Sequence, residues 1–369
     1  MFKSKTVFVI GAGASAEAEL PIGKHLTKRI AQLVDFRVGR LQTLTQGDPQ
    51  LLSILEHMVR QDPDPWPDNQ FLRSGREVAE AMQLAPSIDT FLQTHKDNRE
   101  YVLLGKLGIA KAILAAEARS RLAPTADQSS PFDMRSVADT WYVSLAQHLF
   151  SGVPADDPLS AFENVSFIVF NYDRCLEVFL HRAIAVYFPR MVREVDAIMS
   201  KVRIVHPYGD LGALTLGAEG RTPFGSESAD LLRIANRILT FSETIEDNQL
   251  LHRIKTIVNE AETLVFLGFA FHEQNMEILN DNVPKGEKRN SIKRVYATTL
   301  GVSQSDQQII RSQIGDLVKG RPIKDRDQYS IQIADGECKK MFEEYWRSLS
   351  AVAADQARFG RYNLVEVIE

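Results

Sequence analysis

The fold is decided at residues 7–15, which read Val7-Phe8-Val9-Ile10-Gly11-Ala12-Gly13-Ala14-Ser15. Four consecutive apolar residues predict a strand buried on both faces, which is typical of a parallel sheet covered by helices. The glycine turn after this strand predicts a nucleotide site. We expect Gly11 to take a positive φ, Gly13 to let a pyrophosphate approach the backbone, and the N–H groups of the following helix to face the phosphates.

The turn has the pattern G-x-G-x-x-A, with Ala16 at the third small position. By itself this pattern fits a structural turn as well as it fits nucleotide binding. Here it follows a predicted strand and precedes helical sequence, which is the context that the dinucleotide fingerprint requires. The context therefore favours a nucleotide.

The composition is that of an ordinary globular protein. The chain has 369 residues, of which 44% are hydrophobic and 25% charged, and its formal net charge is −5. This length fits two or three average domains, or one large α/β unit with insertions. Because phosphate backbones are bound by clustered Lys and Arg, the negative charge predicts no strong direct binding of nucleic acid.

The cysteines and the apolar stretches indicate a cellular setting. Cys175 and Cys338 are too few for a disulfide framework or for the paired cysteines of a structural zinc site, so we expect no metal and a reducing cytoplasm. The first strand begins within six residues, which leaves no room for a secretory leader. The most apolar helical stretch, residues 101–118, contains Lys106 and Lys111, so we expect a buried helix and no membrane span.

Runs rich in β-branched and aromatic residues recur along the chain. They cover residues 7–10, 165–170, 202–205, 264–267 and 295–298, and residues 329–333 alternate like a late edge strand. Helical sequence separates several of these runs, which predicts parallel pairing. The predicted fold class is therefore α/β, a Rossmann-like parallel sheet with helices on both faces.

More than a hundred residues separate the first two runs, although a crossover needs roughly a dozen. Apolar residues there recur at helical spacing, in residues 26–34, 51–60, 88–94, 101–118 and 137–150. We therefore expect a large α-helical insertion after the first βα unit, at about residues 40–160. Further along, residues 215–228 predict a loop, residues 280–289 a polar connection and residues 339–358 the last long helix.

Polar side chains follow the predicted strands where those strands end. Asn171 and Asp173 come after the second run, and His206 comes after the third. The carboxyl ends of parallel strands are where open α/β sheets bind ligands. An amide at this edge can orient a water or a ribose hydroxyl, and an imidazole can accept a proton near neutral pH.

Each of these residues also has a plainer interpretation. Asp173 fits the cap of a helix that starts at Arg174, and a lone histidine such as His206 is often a satisfied core residue. A further glycine turn lies at Gly268, whose backbone could line the nucleotide site. His272, just after it, fits a surface or helix-start position better.

Taken in order, the motifs resemble the sirtuin-like (silent-information-regulator-like) domains of prokaryotic antiphage defence proteins. The resemblance covers about residues 5–300. It rests on Gly11-Ala12-Gly13-Ala14-Ser15, Pro21-Ile22-Gly23, Ser87-Ile88-Asp89-Thr90-Phe91-Leu92, Phe170-Asn171-Tyr172-Asp173, His206-Pro207-Tyr208-Gly209 and Gly268-Phe269-Ala270-Phe271.

The resemblance implies an NAD⁺ glycohydrolase that releases ADP-ribose and nicotinamide and acts as the toxic effector of abortive infection. It places the catalytic pair at Asn171 and His206 and puts Asp173 near the nicotinamide ribose. The cofactor-binding residues it implies are Gly11, Ala12, Gly13, Ser15, Asp173, Gly268 and Phe269. Asp89 falls on an acidic position of the family's helical motif, where Ser87 or Asp89 fits a helix cap equally well.

The chain departs from the sirtuin pattern in two respects. It lacks the four zinc-binding cysteines of the protein deacylases, which favours hydrolysis over deacylation. The family's histidine motif, His-x-His-Gly or similar, appears here as His206-Pro207-Tyr208-Gly209, with a different residue before the glycine.

The resemblance also implies a domain division and partners. We expect the NAD-binding domain at residues 1–305 and an extension at residues 306–369 that packs on it or makes oligomer contacts. We expect a homo-oligomer and a separate sensor or activator, such as a HerA-type hexameric ATPase or a short Argonaute.

Two other functions remain open from the sequence. A module could bind NAD⁺ or ADP-ribose without cleaving it and pass a signal to a partner. A Rossmann dehydrogenase is the weaker alternative, because Asp35 would have to follow a second strand to grip the ribose, whereas it follows helical sequence.

Overall fold

A computed structural model describes residues 1–40, 43–61, 70–124, 133–215, 217–280, 292–318 and 330–352. The strands are β1 (Thr6–Ile10), β2 (Arg37–Val38), β3 (Leu44–Gln46), β4 (Val165–Val169), β5 (Arg203–Val205), β6 (Thr263–Leu267), β7 (Arg294–Thr298) and β8 (Ser330–Ala334). The longer helices are α2 (Gly23–Val34), α3 (Pro49–Gln61), α4 (Gln70–Ala81), α6 (Arg99–Glu117), α7 (Trp141–Phe150), α8 (Cys175–Tyr187), α12 (Asn248–Glu260), α14 (Gln304–Val318) and α15 (Cys338–Ser350). The shorter ones are α1 (Ala12–Ser15), α5 (Ile88–Thr94), α9 (Val195–Met199), α10 (Leu231–Ala235), α11 (Phe241–Glu246) and α13 (Glu273–Leu279).

Six of the strands form one parallel sheet, in the order β5-β4-β1-β6-β7-β8. The chain builds outward from β1 to β5 on one side, returns to β6 beside β1, and builds outward again to β8. The order therefore reverses between β1 and β6, and a crevice forms at the carboxyl ends of strands where this happens. This confirms the predicted α/β class and the late edge strand, which is β8.

Helices cover both faces of the sheet. Within β1, Val7 and Val9 belong to a core that includes α2 and α6, whereas Phe8 and Ile10 face a second core that includes α7, α8 and α15. Because neighbouring residues of a strand point to opposite faces, one run of four apolar side chains contributes to both cores. All five residues of β1 are buried.

The predicted helical insertion lies between β1 and β4, where α2, α4 and α6 pack against one another. The sequence pattern missed α4 and the small antiparallel hairpin of β2 and β3. α4 is polar overall, and Ser74 and Gly75 occupy two of its five buried positions, so it contains few large apolar residues. Gly75 is required there, because a Cβ at this position would lie 2.3 Å from the carbonyl oxygen of Val34.

The C-terminal part of the described chain continues the same architecture. β8 pairs in parallel with β7, and α15 packs on α7. The last helix was expected to run to residue 358 without a break, but α15 ends at Ser350 and Ala351 is already extended. Residues 353–358 of that prediction lie outside the described residues. The connection predicted at residues 280–289 falls mostly outside the described residues, and a domain boundary at residue 305 stays a prediction.

The helix α6 contains most of the apolar stretch at residues 101–118, and it is buried as expected. Its Lys106 forms an ion pair with Glu243 at 2.8 Å. None of the helices within the described ranges is both long and apolar enough to cross a bilayer.

Candidate functional site

Two glycine turns meet where the strand order reverses. The N–H of Gly11 donates to the carbonyl of Leu267 at 2.9 Å, and that of Gly13 donates to the carbonyl of Gly268 at 3.0 Å. A Cβ on Gly11 would lie 2.6 Å from the oxygen of Gly268, and one on Gly13 would lie 2.8 Å from its Cα. The glycines therefore allow the turns after β1 and β6 to touch.

This contact changes the interpretation of the turn. The expectation of a positive φ at Gly11 is wrong, because its φ is −111°. The left-handed residue is Gly268, with φ +55°, and a Cβ there would lie 2.0 Å from the backbone nitrogen of Ala14. The helix after the turn is also short, since α1 has four residues and continues only as a 3₁₀ turn over Ala16–Ala18.

A cavity of about 730 Å³ opens beside these turns. This volume lies in the range of small-molecule and cofactor sites. The ends of β1, β4, β6, β7 and β8 all contribute to its wall, together with the starts of α2 and α5. Of the predicted site residues it is lined by Gly11, Ala12, Gly13, Asn171, Asp173, Gly268 and Phe269, but not by Ser15 or His206.

Asn171 is the most constrained polar side chain of this wall. Its Nδ2 donates to the carbonyl of Gly11 at 3.1 Å and to Oγ of Ser15 at 2.9 Å. Its Oδ1 is buried and finds no hydrogen-bond partner in the part of the chain that the structure describes. Both amide protons are therefore used, and the acceptor oxygen of this cavity-lining residue is left without a partner among the described residues.

Ser15 and Asp173 continue this network beneath the cavity. The hydroxyl of Ser15 donates to Oδ1 of Asp173 at 3.1 Å, and the same oxygen accepts the N–H of Cys175 at 3.1 Å. Asp173 thus supports the first turn of α8, although the cap position itself is Arg174. Burial raises the pKa of the Asp173 carboxyl, and these hydrogen bonds oppose the shift only in part.

His206 lies behind Asn171 and outside the cavity. Its side chain is 8% exposed, its Nδ1 lies 3.1 Å from the backbone oxygen of Asn171, and its Nε2 lies 2.6 Å from Oε1 of Glu177. Both ring nitrogens are thus engaged by protein groups. The predicted contact between His206 and a ribose hydroxyl is not available in this arrangement, and its catalytic role stays a prediction.

Two further hydrogen-bonded pairs of side chains line the cavity, and the sequence indicated them only in part. The hydroxyl of Tyr172 donates to Oδ1 of Asp89 at 2.5 Å, and that of Tyr208 donates to Oδ1 of Asn275 at 2.6 Å. All four residues line the cavity. Burial raises the pKa of the Asp89 carboxyl, and the Tyr172 hydroxyl opposes this shift.

Ser87, and not Asp89, caps the N-terminus of α5, because its Oγ accepts the N–H of Thr90 at 3.1 Å. This leaves the Asp89 carboxylate for the cavity wall. His272 occupies the cap position of α13 and is exposed, as predicted, but it also borders the cavity.

Glu17 is a cavity residue that the motifs did not indicate. Its two carboxylate oxygens accept the N–H of Trp141, at the start of α7, and the N–H of Lys339, at the start of α15. The distances are 2.7 and 3.0 Å. Burial raises the pKa of this carboxyl, and its position just after a small-residue turn was the only sequence signal for it.

The described residues contain no group of three His, Cys, Asp or Glu side chains arranged to hold a metal ion. Cys175 and Cys338 are both free and buried. Burial and neighbouring carboxylates raise the pKa of both thiols, which disfavours a thiolate nucleophile at either position.

Comparison with protein-family models and with curated proteins gives no match to this chain.

Proposed function

We propose that this protein is an NAD⁺ glycohydrolase whose active site is the cavity at the reversal point of the sheet. The observation that carries the proposal is the unpartnered Oδ1 of Asn171, a buried acceptor held at the wall of a cavity large enough for a dinucleotide. A buried polar atom without a partner is rare and is costly unless a ligand or water completes it. The cavity's position between β1 and β6 is where dinucleotides bind in sheets of this order.

The chemistry requires little from the protein beyond orientation. The bond between nicotinamide and ribose breaks through a transition state with positive charge on the sugar, and nicotinamide leaves as a neutral molecule. Oδ1 of Asn171 would accept a hydrogen bond from the attacking water or from a ribose hydroxyl and so fix its direction. A closed site that excludes other water makes this orientation effective.

Carboxyl groups of the wall add to this effect. Glu17, Asp89 and Asp173 come from three different elements and all border the cavity. In their ionised form they stabilise positive charge that develops on the sugar, because the partly buried site screens charge less than water does. Lys24, exposed at the start of α2, is a cation placed to meet a pyrophosphate, and the exposed His25 beside it offers a ring N–H.

The test is nicotinamide release from NAD⁺ by the purified protein, alone and with the products of neighbouring genes. Asn171→Ala is expected to lower kcat by about 100-fold, because the acceptor proposed to orient the water or the ribose hydroxyl is lost. Asn236→Ala, at an exposed asparagine outside the cavity, is the matched control and is expected to keep the parent rate. An Asn171→Ala variant that folds and retains full turnover contradicts the assignment.

A second function has one observation in its favour. Because both nitrogens of His206 are occupied, the cavity lacks the neutral imidazole base that the resemblance implies. This arrangement also fits a module that binds NAD⁺ or ADP-ribose without cleaving it. Stoichiometric binding by calorimetry with no nicotinamide release under any activating condition would select this alternative.

The biological role we propose is that of a toxic effector in a cytoplasmic antiphage defence system. Constant NAD⁺ hydrolysis would kill the cell, so the activity has to be silent until infection. We propose a homo-oligomer with a separate sensor, either a HerA-type ATPase or a short Argonaute. Light scattering of the protein alone and with neighbouring gene products tests this assembly.

A further inference from the structure

The strongest unexplained feature is a chain of contacts that runs from α8 through His206 to Asn171. Glu177, in the first turn of α8, lies 2.6 Å from Nε2 of His206. Nδ1 of the same ring lies 3.1 Å from the backbone oxygen of Asn171. The three residues are buried or nearly so, and only Asn171 borders the cavity.

The partners decide where the protons of His206 are. The backbone oxygen of Asn171 can only accept a hydrogen bond, so Nδ1 must carry a proton. An ionised Glu177 carboxylate can also only accept, so Nε2 must carry a proton as well. The ring is then an imidazolium that donates one hydrogen bond to the Asn171 carbonyl and one to the Glu177 carboxylate. No lone pair of the ring is left for a substrate proton in this arrangement.

The charges around His206 favour the imidazolium. Burial by itself lowers the pKa of His206, but the charge of Glu177 and the hydrogen bond to it outweigh burial and raise the pKa to about 9. Asp210, in the loop after β5, acts in the same direction and is itself paired with Arg237 at 2.7 Å. Asp173, on the other side of α8's first turn, is close enough to Glu177 for the two carboxyls to repel.

Asn171 is consequently held from two directions. Its side-chain amide donates to the β1 turn, at Gly11 and Ser15, and its backbone carbonyl accepts from His206. Fixing both the peptide and the amide restricts the position of Oδ1 in the cavity wall. A side chain that must orient a reacting water needs this kind of support, since a shift of about 1 Å can reduce turnover by about 100-fold.

We propose that Glu177 is a positioning residue, which acts through His206 to fix the peptide of Asn171 and so the direction of its Oδ1 in the cavity. The proposal rests on the proposed NAD⁺ cleavage. It changes the role expected for His206 from a base to a clamp, meaning a residue that holds the peptide of Asn171 in place by a hydrogen bond. Neither Glu177 nor His206 touches the substrate in this role.

The test is the pH profile of NAD⁺ turnover in the parent and in Glu177→Gln. In the parent we expect kcat to stay constant from pH 6 to pH 8, because His206 keeps its charge below its pKa of about 9. In Glu177→Gln the carboxylate charge is gone while burial remains, so the pKa of His206 falls. Above that lower pKa the neutral ring still donates from Nδ1 to Asn171, but without the charge that strengthens this hydrogen bond. We therefore expect kcat to approach the parent value at pH 6 and to drop about fivefold to tenfold by pH 8, with KM within about twofold.

The matched control is a second histidine–carboxylate pair that involves the same helix. His181, on α8, lies 3.0 Å from Asp196, and both side chains are nearly half exposed. Asp196→Asn breaks this pair away from the cavity and is expected to keep the parent profile. A Glu177→Gln profile that superimposes on the parent overturns the proposal.

A direct measurement separates the proposal from the proposed function. Nitrogen-15 NMR of labelled histidine, with His206→Gln for assignment, reports the charge of the ring without any turnover and needs only the parent protein. We expect an imidazolium at pH 7.5. A His206 whose Nδ1 carries no proton in the parent overturns the clamp even if NAD⁺ is cleaved, whereas a protonated Nδ1 in a protein that cleaves no NAD⁺ supports the clamp and contradicts the proposed function.

Discussion

At the scale of single residues, the site depends on glycines that no side chain can replace. Gly13 and Gly268 touch through their backbones, which brings the turns after β1 and β6 together at the cavity. The motif indicated Gly13 and Gly268 because of an expected nucleotide, whereas the structure shows that these glycines are needed for the contact between two turns. The partner of Gly13 lies far along the chain, so the local pattern could not show the contact.

Gly268→Ala is expected to destabilise the fold much more than Gly301→Ala. Both glycines are left-handed, with φ +55° and +72°, but a Cβ on Gly268 would lie 2.0 Å from the nitrogen of Ala14, whereas one on Gly301 would meet nothing within 4 Å. Gly301→Ala should therefore lose only the backbone preference, about 1 kcal/mol of unfolding free energy, and Gly268→Ala about 3 kcal/mol or more. Denaturant unfolding measures both, and equal losses would contradict the packing argument.

At the scale of elements, a buried ion pair connects the helical insertion to the sheet. Glu117, at the end of α6, and Arg174, just before α8, are 0% and 2% exposed. Arg174 also donates to the carbonyls of Gly212 and Thr222, and Glu117 accepts the N–H of Gly225. The pair therefore fixes the loop that follows β5, beside the His206 segment.

Glu117→Gln is expected to lower the free energy of unfolding by about 3 kcal/mol or more, because it leaves the Arg174 charge buried without a counterion. Glu260→Gln removes a carboxylate that pairs with Lys5 at the surface, 3.3 Å away, and should change stability by about 0.5 kcal/mol or less. Both variants are compared by denaturant unfolding at pH 7. A Glu117→Gln loss no larger than that of Glu260→Gln would show that the buried pair does not hold these elements together.

The helices and strands also show which parts of the fold the sequence patterns could predict. All six parallel strands were predicted, because buried parallel strands form continuous apolar runs. The edge positions of Asn171 and Asp173 followed from that sheet. The position of His206 did not, since its orientation depends on Glu177, whose place on α8 no strand pattern describes. The helix α4 was missed because its sequence is polar overall and contains few large apolar residues.

At the scale of the whole molecule, stability is expected to decline in acid partly through His148. This residue lies on α7, 3.7 Å from the ring of Trp346 on α15, and its Nε2 is buried without a partner in the described chain. Burial, together with the charge of the chain's amino terminus, lowers the pKa of His148 to about 4. The stability that its neutral form provides is fully present above pH 6.5 and is lost as the pH falls towards 4.

His148→Leu should therefore reduce the slope of stability against pH between 6.5 and 4. We expect the variant to gain about 1 kcal/mol relative to the parent on going from pH 7 to pH 5. Thermal or denaturant unfolding at the two pH values measures this difference. Parallel curves for parent and variant would mean that His148 does not contribute to acid sensitivity.

We propose that one cavity, at the reversal of the sheet, holds NAD⁺ for cleavage at Asn171. A structure of the protein with carba-NAD⁺, which cannot lose nicotinamide, tests this proposal. We expect the nicotinamide ribose, or a water beside it, within hydrogen-bond distance of Oδ1 of Asn171. An analogue bound outside this cavity, or bound in it with its nicotinamide ribose away from Asn171, would contradict the proposal.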